Sequence, residues 1–141
     1  MGGVLVAAAC ASAPKPKQSA EVLPLVPAGV YLQEPARAYR VVGTVRAWEE
    51  FTTALDDSFD EREFQRRCRK AFHDASVKLL RTAQENGGNA VVKIRSVVFL
   101  ADGRKELYAQ PECADDGDSG EALVEGLAVV FSAPDSARSS K

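Results

Sequence analysis

The sequence predicts an α+β domain: a small sheet of three to four strands in β-α-β-(β)-β order, with one long helix packed across one face. Three observations predict it. Segments with the alternation of strands bracket a single long stretch whose apolar residues recur at spacings of three and four. That stretch closes on Gly87-Gly88 and turns at once into a β-branched run. The whole chain, 141 residues with 45% hydrophobic and 27% charged side chains, has room for one core but not for two ordinary domains.

The first strand begins at Tyr39. Tyr39, Val41, Gly43 and Val45 alternate with Arg40, Val42, Thr44 and Arg46, the pattern of a strand with one buried face. A connection containing Trp48 and Phe51 is expected next. The helix is expected from about Phe59 to Asn86. Ser58 with Glu61 three residues on reads as a capping box, and Asp60, Glu61 and Glu63 sit where the helix dipole favours acids. Adjacent Asp56 and Asp57 belong to the same helix start, where capping explains them better than catalysis.

Along the helix Phe64, Cys68, Phe72, Ala75, Leu79 and Ala83 form one apolar stripe, the face that meets the sheet. Arg62, Arg66, Arg69, Lys70 and Lys78 lie off it, as a solvated face does. His73 is the sole histidine, and without cysteine or histidine companions it reads as structural rather than as a metal ligand.

The second strand is Ala90 to Leu100. Ala101-Asp-Gly103 is a turn signal, Lys105–Ala109 a short edge strand, and Glu121–Phe131 the last strand. Leu123, Leu127, Val129 and Phe131 share one face of that last strand, with Val124, Ala128 and Val130 on the other. The second strand offers Val97 and Phe99 opposite Ile94 and Val98. A single helix covers one face only. The second is expected to lie under the Val22–Leu32 segment or against another subunit, with an envelope protein or self-association as the partner at this face, because an open apolar patch marks an interface.

Charge and composition narrow the function classes. A formal net charge of -2 provides no basic footprint for nucleic acid. No stretch approaches the roughly 18 apolar residues of a membrane-crossing helix. Catalytic motifs are not found: the chain has no phosphate-cradling glycine loop, no Gly-x-Ser-x-Gly elbow and no Cys/His metal set. The loop from Glu112 to Glu121 is rich in carboxylates, but Asp116, Asp118 and Glu121 do not meet EF-hand spacing, and a solvated acidic loop is the expectation. No enzyme, cofactor or metal is therefore expected.

The N-terminus bears on compartment. Met1 to Ala9 is a short apolar run of small residues placed directly before Cys10, which resembles a bacterial lipoprotein signal with Cys10 as the lipid anchor. The basic leader that usually precedes such a run would be supplied by a start codon upstream of Met1. Two other readings stay open, cleavage after Ala11-Ser12-Ala13 and a plain cytosolic N-terminus. On the first reading residues 1–10 are the signal remnant and 11–38 a tether carrying Pro14, Pro16, Pro24, Pro27 and Pro35, a composition that keeps a chain extended. The folded part runs over 39–131, and 132–141 is a frayed Ser/Ala-rich tail.

The run from Cys68 to Val92, the loop with Cys113 and the segment Glu125-Gly-Leu-Ala-Val-Val resemble a family of small exported bacterial proteins, many of them mislabelled as part of the excinuclease ABC complex. Gly88-Asn-Ala-Val-Val and Gly126-Leu-Ala-Val are similar to the signature shared by YbjQ-type heavy-metal-binding domains and RcsF-type outer-membrane lipoproteins. The resemblance spans about residues 39–131. It implies a non-enzymatic envelope lipoprotein domain on the periplasmic side, anchored in the outer membrane, that acts in protein interaction or assembly. The alternative it implies is a metal- or small-ligand-binding domain, although no ligand set can be placed on this sequence. RcsF-type proteins carry two disulfides, whereas this chain has three cysteines in all.

With Cys10 at the anchor, Cys68 and Cys113 remain as a pair, and in an exported protein a pair favours a bridge. Closing that loop stabilises by about 4 kcal/mol in the chain-entropy model. If the chain stays in the cytosol, two separate thiols, with Cys68 filling the core, become the better reading.

Overall fold

A computed structural model of the chain describes residues 24–53 and 60–132. Its elements are β1 (Tyr39–Thr52), α1 (Glu61–Glu85), β2 (Ala90–Phe99), β3 (Lys105–Tyr108), β4 (Ala114–Asp115) and β5 (Ser119–Phe131). The strands form one antiparallel sheet in the order β1-β5-β2-β3, with β4 folded back on the start of β5. The α+β class is as expected, but five strands replace the three to four read from the sequence. The extra one, β4, is a two-residue strand inside the acidic loop, too short for any periodicity to show.

β1 departs most from expectation. Where the sequence predicts a connection around Trp48 and Phe51, the strand continues to Thr52, paired residue by residue with β5. Glu49 and Glu50 hide this continuation, since paired acids read as loop. β1 also changes phase. A bulge between Val41 and Gly43 places Tyr39 and Val41 opposite Phe131 and Val129 on one face, while Val45 and Ala47 pack toward the helix on the other. The single alternating face expected from Tyr39 to Val45 is thus split in two, because a bulge inserts one residue and reverses every side chain beyond it.

The helix stripe is as read, extended by Ala71 and Ser76. Its cap is not. Asp60, in extended backbone, accepts from the Glu63 amide through Oδ1 at 3.0 Å, so Asp60 replaces Ser58 as the capping residue. Ser58, Asp56 and Asp57 lie outside the described residues. At the other end Gly87 takes φ +95°, a conformation glycine adopts without a Cβ clash, and Gly88 N–H returns to the Ala83 carbonyl at 2.8 Å.

The helix lies over β1, β5 and β2, and Phe72, Ala75, Leu79, Val91, Ile94 and Val124 form the centre of the core between them. β2 carries its own bulge between Val92 and Arg95, where Lys93 adopts φ +57°. Gly126 faces this bulge. A Cβ there would come within 2.6 Å of the Val91 side chain, so the close approach of the two strands requires glycine.

The two segments behind the family resemblance lie side by side. Asn89 N–H donates to the Val129 carbonyl at 2.8 Å, and the Asn89 side chain accepts from Phe131 N–H at 3.1 Å. Gly88 abuts the same Val129 carbonyl. These residues clasp the helix exit to the end of β5, a task of folding rather than of chemistry.

Residues 24–38 are packed on the domain. Gly29 and Tyr31 bracket Val91 in a parallel bridge on the free edge of β2, with Tyr31 N–H to Val91 carbonyl at 2.8 Å and Val91 N–H to Gly29 carbonyl at 2.9 Å. Val30 enters the core beneath the helix, joined by Leu25, Val26 and Leu32. Arg95 Nη1 donates to the Leu32 carbonyl at 2.6 Å, and the His73 ring donates through Nδ1 to the Pro24 carbonyl at 2.9 Å. His73 is therefore a clip on this segment.

Candidate functional site

Among the described residues the sheet has a helix on one face only, and the other is the candidate site. Its residues follow from register. Beyond the β1 bulge, Thr44, Arg46, Trp48 and Glu50 point away from the helix, opposite Leu127, Glu125, Leu123 and Glu121 of β5. β2 contributes Val92, Arg95, Val97 and Phe99, and β3 adds Lys105 and Leu107. Trp48, Leu123, Val97 and Leu107 fall in one row across four strands.

Among the described residues the large apolar side chains that stay exposed are Val41 at 50%, Trp48 at 55%, Phe99 at 54% and Leu107 at 47%. All four belong to this face. Isolated exposed apolar residues are ordinary, but their collection on one flat face is not.

The expectation that residues 22–32 cover this face needs correction. Val22 and Leu23 lie outside the described residues, and the rest sends its aliphatic side chains to the helix side instead. Only Tyr31 reaches the second face, where it meets Phe131 edge-on at 5.7 Å beside Tyr39, with the Arg37 guanidinium 4.0 Å over the Phe131 ring. That cluster closes one end of the face. Trp48 and Leu107, at the two ends of the row, stay exposed while Val97 between them is buried, and residues 24–32, paired to the β2 edge, lie beside the sheet rather than under it.

Charged groups border the row. Arg46 donates to Glu125 at 2.9 Å, and Lys105 reaches the same carboxylate at 3.6 Å. On the other side stand Glu50 and Glu121. Glu34 accepts from the Tyr39 hydroxyl at 2.6 Å, which holds the carboxyl below its usual range and raises the phenol.

The outer edge of β1 is guarded. Lys78, expected merely to be solvated, extends from the helix to donate to the Trp48 carbonyl at 3.1 Å and pairs with Glu49 at 2.5 Å. An ammonium on an edge carbonyl discourages strand addition. A cleft of about 290 Å³ lies beside it, lined by Glu49, Glu50, Arg66, Arg67, Lys70 and Asp74. Lys70 pairs with Asp74 at 2.8 Å, and Arg66 and Arg67 both pair with Glu63, so the cleft does not select one sign of charge.

Cys68 and Cys113 form a disulfide with Cα atoms 5.9 Å apart. Ser96 helps to place Cys113, and nothing in the sequence marked it. Buried on β2, its hydroxyl donates to the Gln110 carbonyl at 2.8 Å and accepts from Glu112 N–H at 3.0 Å, pinning the chain just before the cysteine. In the acidic loop Asp116 Oδ1 accepts from the amides of Asp118 at 2.9 Å and Ser119 at 2.8 Å, bonds that hold its carboxyl below the usual range. Asp115 accepts likewise from Gly117. These carboxylates form the turn. Among the described residues no three His, Cys, Asp or Glu side chains converge as a metal-binding group would, and no helix is long and apolar enough to cross a membrane. Cys10 lies outside the described residues.

No family model and no curated protein matches the chain. Among solved structures, a protein of unknown function from Pediococcus pentosaceus assigned to the DUF74 family is similar in outline, with TM-score 0.47 and 14% identity over 73% of this chain and 96% of that one. A likeness at that level assigns no activity and no partner.

Proposed function

We propose that this chain is a non-enzymatic lipoprotein domain of the bacterial envelope, held at the outer membrane through Cys10, which binds another protein through the helix-free sheet face. The observation that carries the reading is the gathering of Trp48, Phe99, Leu107 and Val41 on that face. Support for the compartment comes from the small-residue run before Cys10, the resemblance to exported proteins, and the Cys68–Cys113 pairing, which suits an oxidising space. The guarded β1 edge points docking to the face rather than to strand addition.

Two measurements test the proposal. Labelled palmitate is expected to enter the wild-type chain in cells and not Cys10→Ser; equal labelling, or none in either, removes the anchor. A photo-crosslinking residue at position 48 or 107 is expected to capture a protein in intact cells, while the same residue at Arg81 on the exposed side of the helix captures none. Capture that is equal at all three positions removes the face.

A further inference from the structure

We infer that the protein occupying the open face is a second copy of this chain, stacked face to face about a two-fold axis parallel to the strands and passing between β5 and β2. The inference rests on the reading of this face as a docking surface and names its partner.

The pattern of side chains is self-complementary about that axis. A two-fold axis along the strands exchanges the columns of the sheet: β1 of one copy lies over β3 of the other, and β5 over β2. Row by row, Trp48 meets Leu107 of the second copy at both ends of the row, while Val97, already buried within its own chain, adds no contact surface between them. The apolar row thereby packs on itself. In the row toward the β1 carboxyl end, Glu50 meets Lys105 of the second copy. In the row on the opposite side Glu125 is already held by Arg46 of its own chain and Arg95 by the Leu32 carbonyl, so that row adds no pairing between copies. Every symmetry contact occurs twice, so the interface holds two pairings of opposite charge, Glu50 with Lys105, beside an apolar centre.

The other simple arrangement, an axis across the strands, sets Glu125 against Glu121 of the second copy, which offsets the pairing of Arg46 with Glu50 that it also makes, and leaves Lys105 without a carboxylate opposite it. Like charges in facing rows select against it. The favoured axis also suits sheet geometry, because two sheets of the same twist stack with strands aligned to within about 30°.

Area sets the affinity. Three strands over about nine residues and β3 over Lys105–Tyr108, at about 4.8 Å between strands and about 3.3 Å per residue, outline a face of about 500 Å² per copy. A standard stable interface buries about 800 Å² per partner, so this one belongs at the weak end, with dissociation in the micromolar range.

The test uses the full chain purified without reducing agent and followed by sedimentation equilibrium across the micromolar range. A reversible dimer is expected, weakened at least about tenfold by Trp48→Glu or by Leu107→Glu. Glu50→Lys and Lys105→Glu are each expected to weaken it about three- to tenfold, and the double reversal to restore it to within about twofold of wild type. Within one chain these two residues stand on opposite outer strands, about 14 Å apart across three strand spacings, so rescue reports contact between copies. Thermal melts of each variant establish that it is folded. A chain that stays monomeric throughout, a dimer indifferent to both apolar substitutions, or a double reversal no tighter than the singles overturns the two-fold pairing. Capture of a different envelope protein at position 48 would then leave the docking reading standing, whereas capture of nothing removes both.

Discussion

Glu63 shows how one side chain joins helix start and surface charge. In the first turn of α1 it accepts from Arg66 at 2.5 Å and from Arg67 at 2.7 Å, and these bonds lower its carboxyl from 4.5 to about 2. A depressed carboxyl stabilises the fold at pH values above its ordinary titration, and that contribution is lost as pH falls from 4.5 toward 2. Melting temperature followed over that interval should therefore drop more for wild type than for Glu63→Gln. Parallel pH curves for the two proteins would show that the pairing adds nothing. Both arginines and Glu63 are legible in the sequence at helical spacing. That two arginines share one carboxylate is not, because spacing names neighbours without choosing rotamers.

Among the elements, β1 shows why pattern alone stops short. Its bulge at Val41/Gly43 and its continuation through Glu49 and Glu50 follow from pairing with β5, a strand far away in the chain. Local alternation carries no record of a distant partner's register. Lys78 is the matching case on the helix: it reads as one charge among several, and its role appears only once the edge of β1 lies within reach. Lys78→Ala should leave the Trp48 carbonyl uncovered and cost no more than about 1 kcal/mol of stability, as exposed ion pairs do. Light scattering near the melting transition should nevertheless begin at a lower temperature than for wild type. Unchanged scattering would mean that the edge is protected by other means. By contrast, the helix stripe and the two faces of β5 are fully legible, since each depends only on its own period.

For the whole molecule, the disulfide and the open face act together. The bridge ties the buried side of α1 to the chain entering β4, and with Ser96 it holds the loop at one end of the sheet. Reduction, or Cys113→Ser, should lower unfolding free energy by about 2 to 5 kcal/mol in a denaturant titration with a matched non-reducing control. Stability unchanged by reduction would show that the loop is held by its hydrogen bonds alone. A rigid sheet also matters to binding, because a flat face presented by hydrogen-bonded strands loses little conformational freedom when a partner covers it.

Local pattern is enough to establish the α+β class, the helix with its buried stripe, the two apolar faces of β5, and the pairing of Cys68 with Cys113 as one of two readings. Each rests on period, on turn residues or on counting. Which face stays open is determined only by the folded chain. Residues 24–38 send Val30 and its neighbours under the helix along the β2 edge, and the row from Trp48 to Leu107 comes together from four strands. A surface assembled from distant segments exists only after their register is set, and register is a property of pairs of strands rather than of any one.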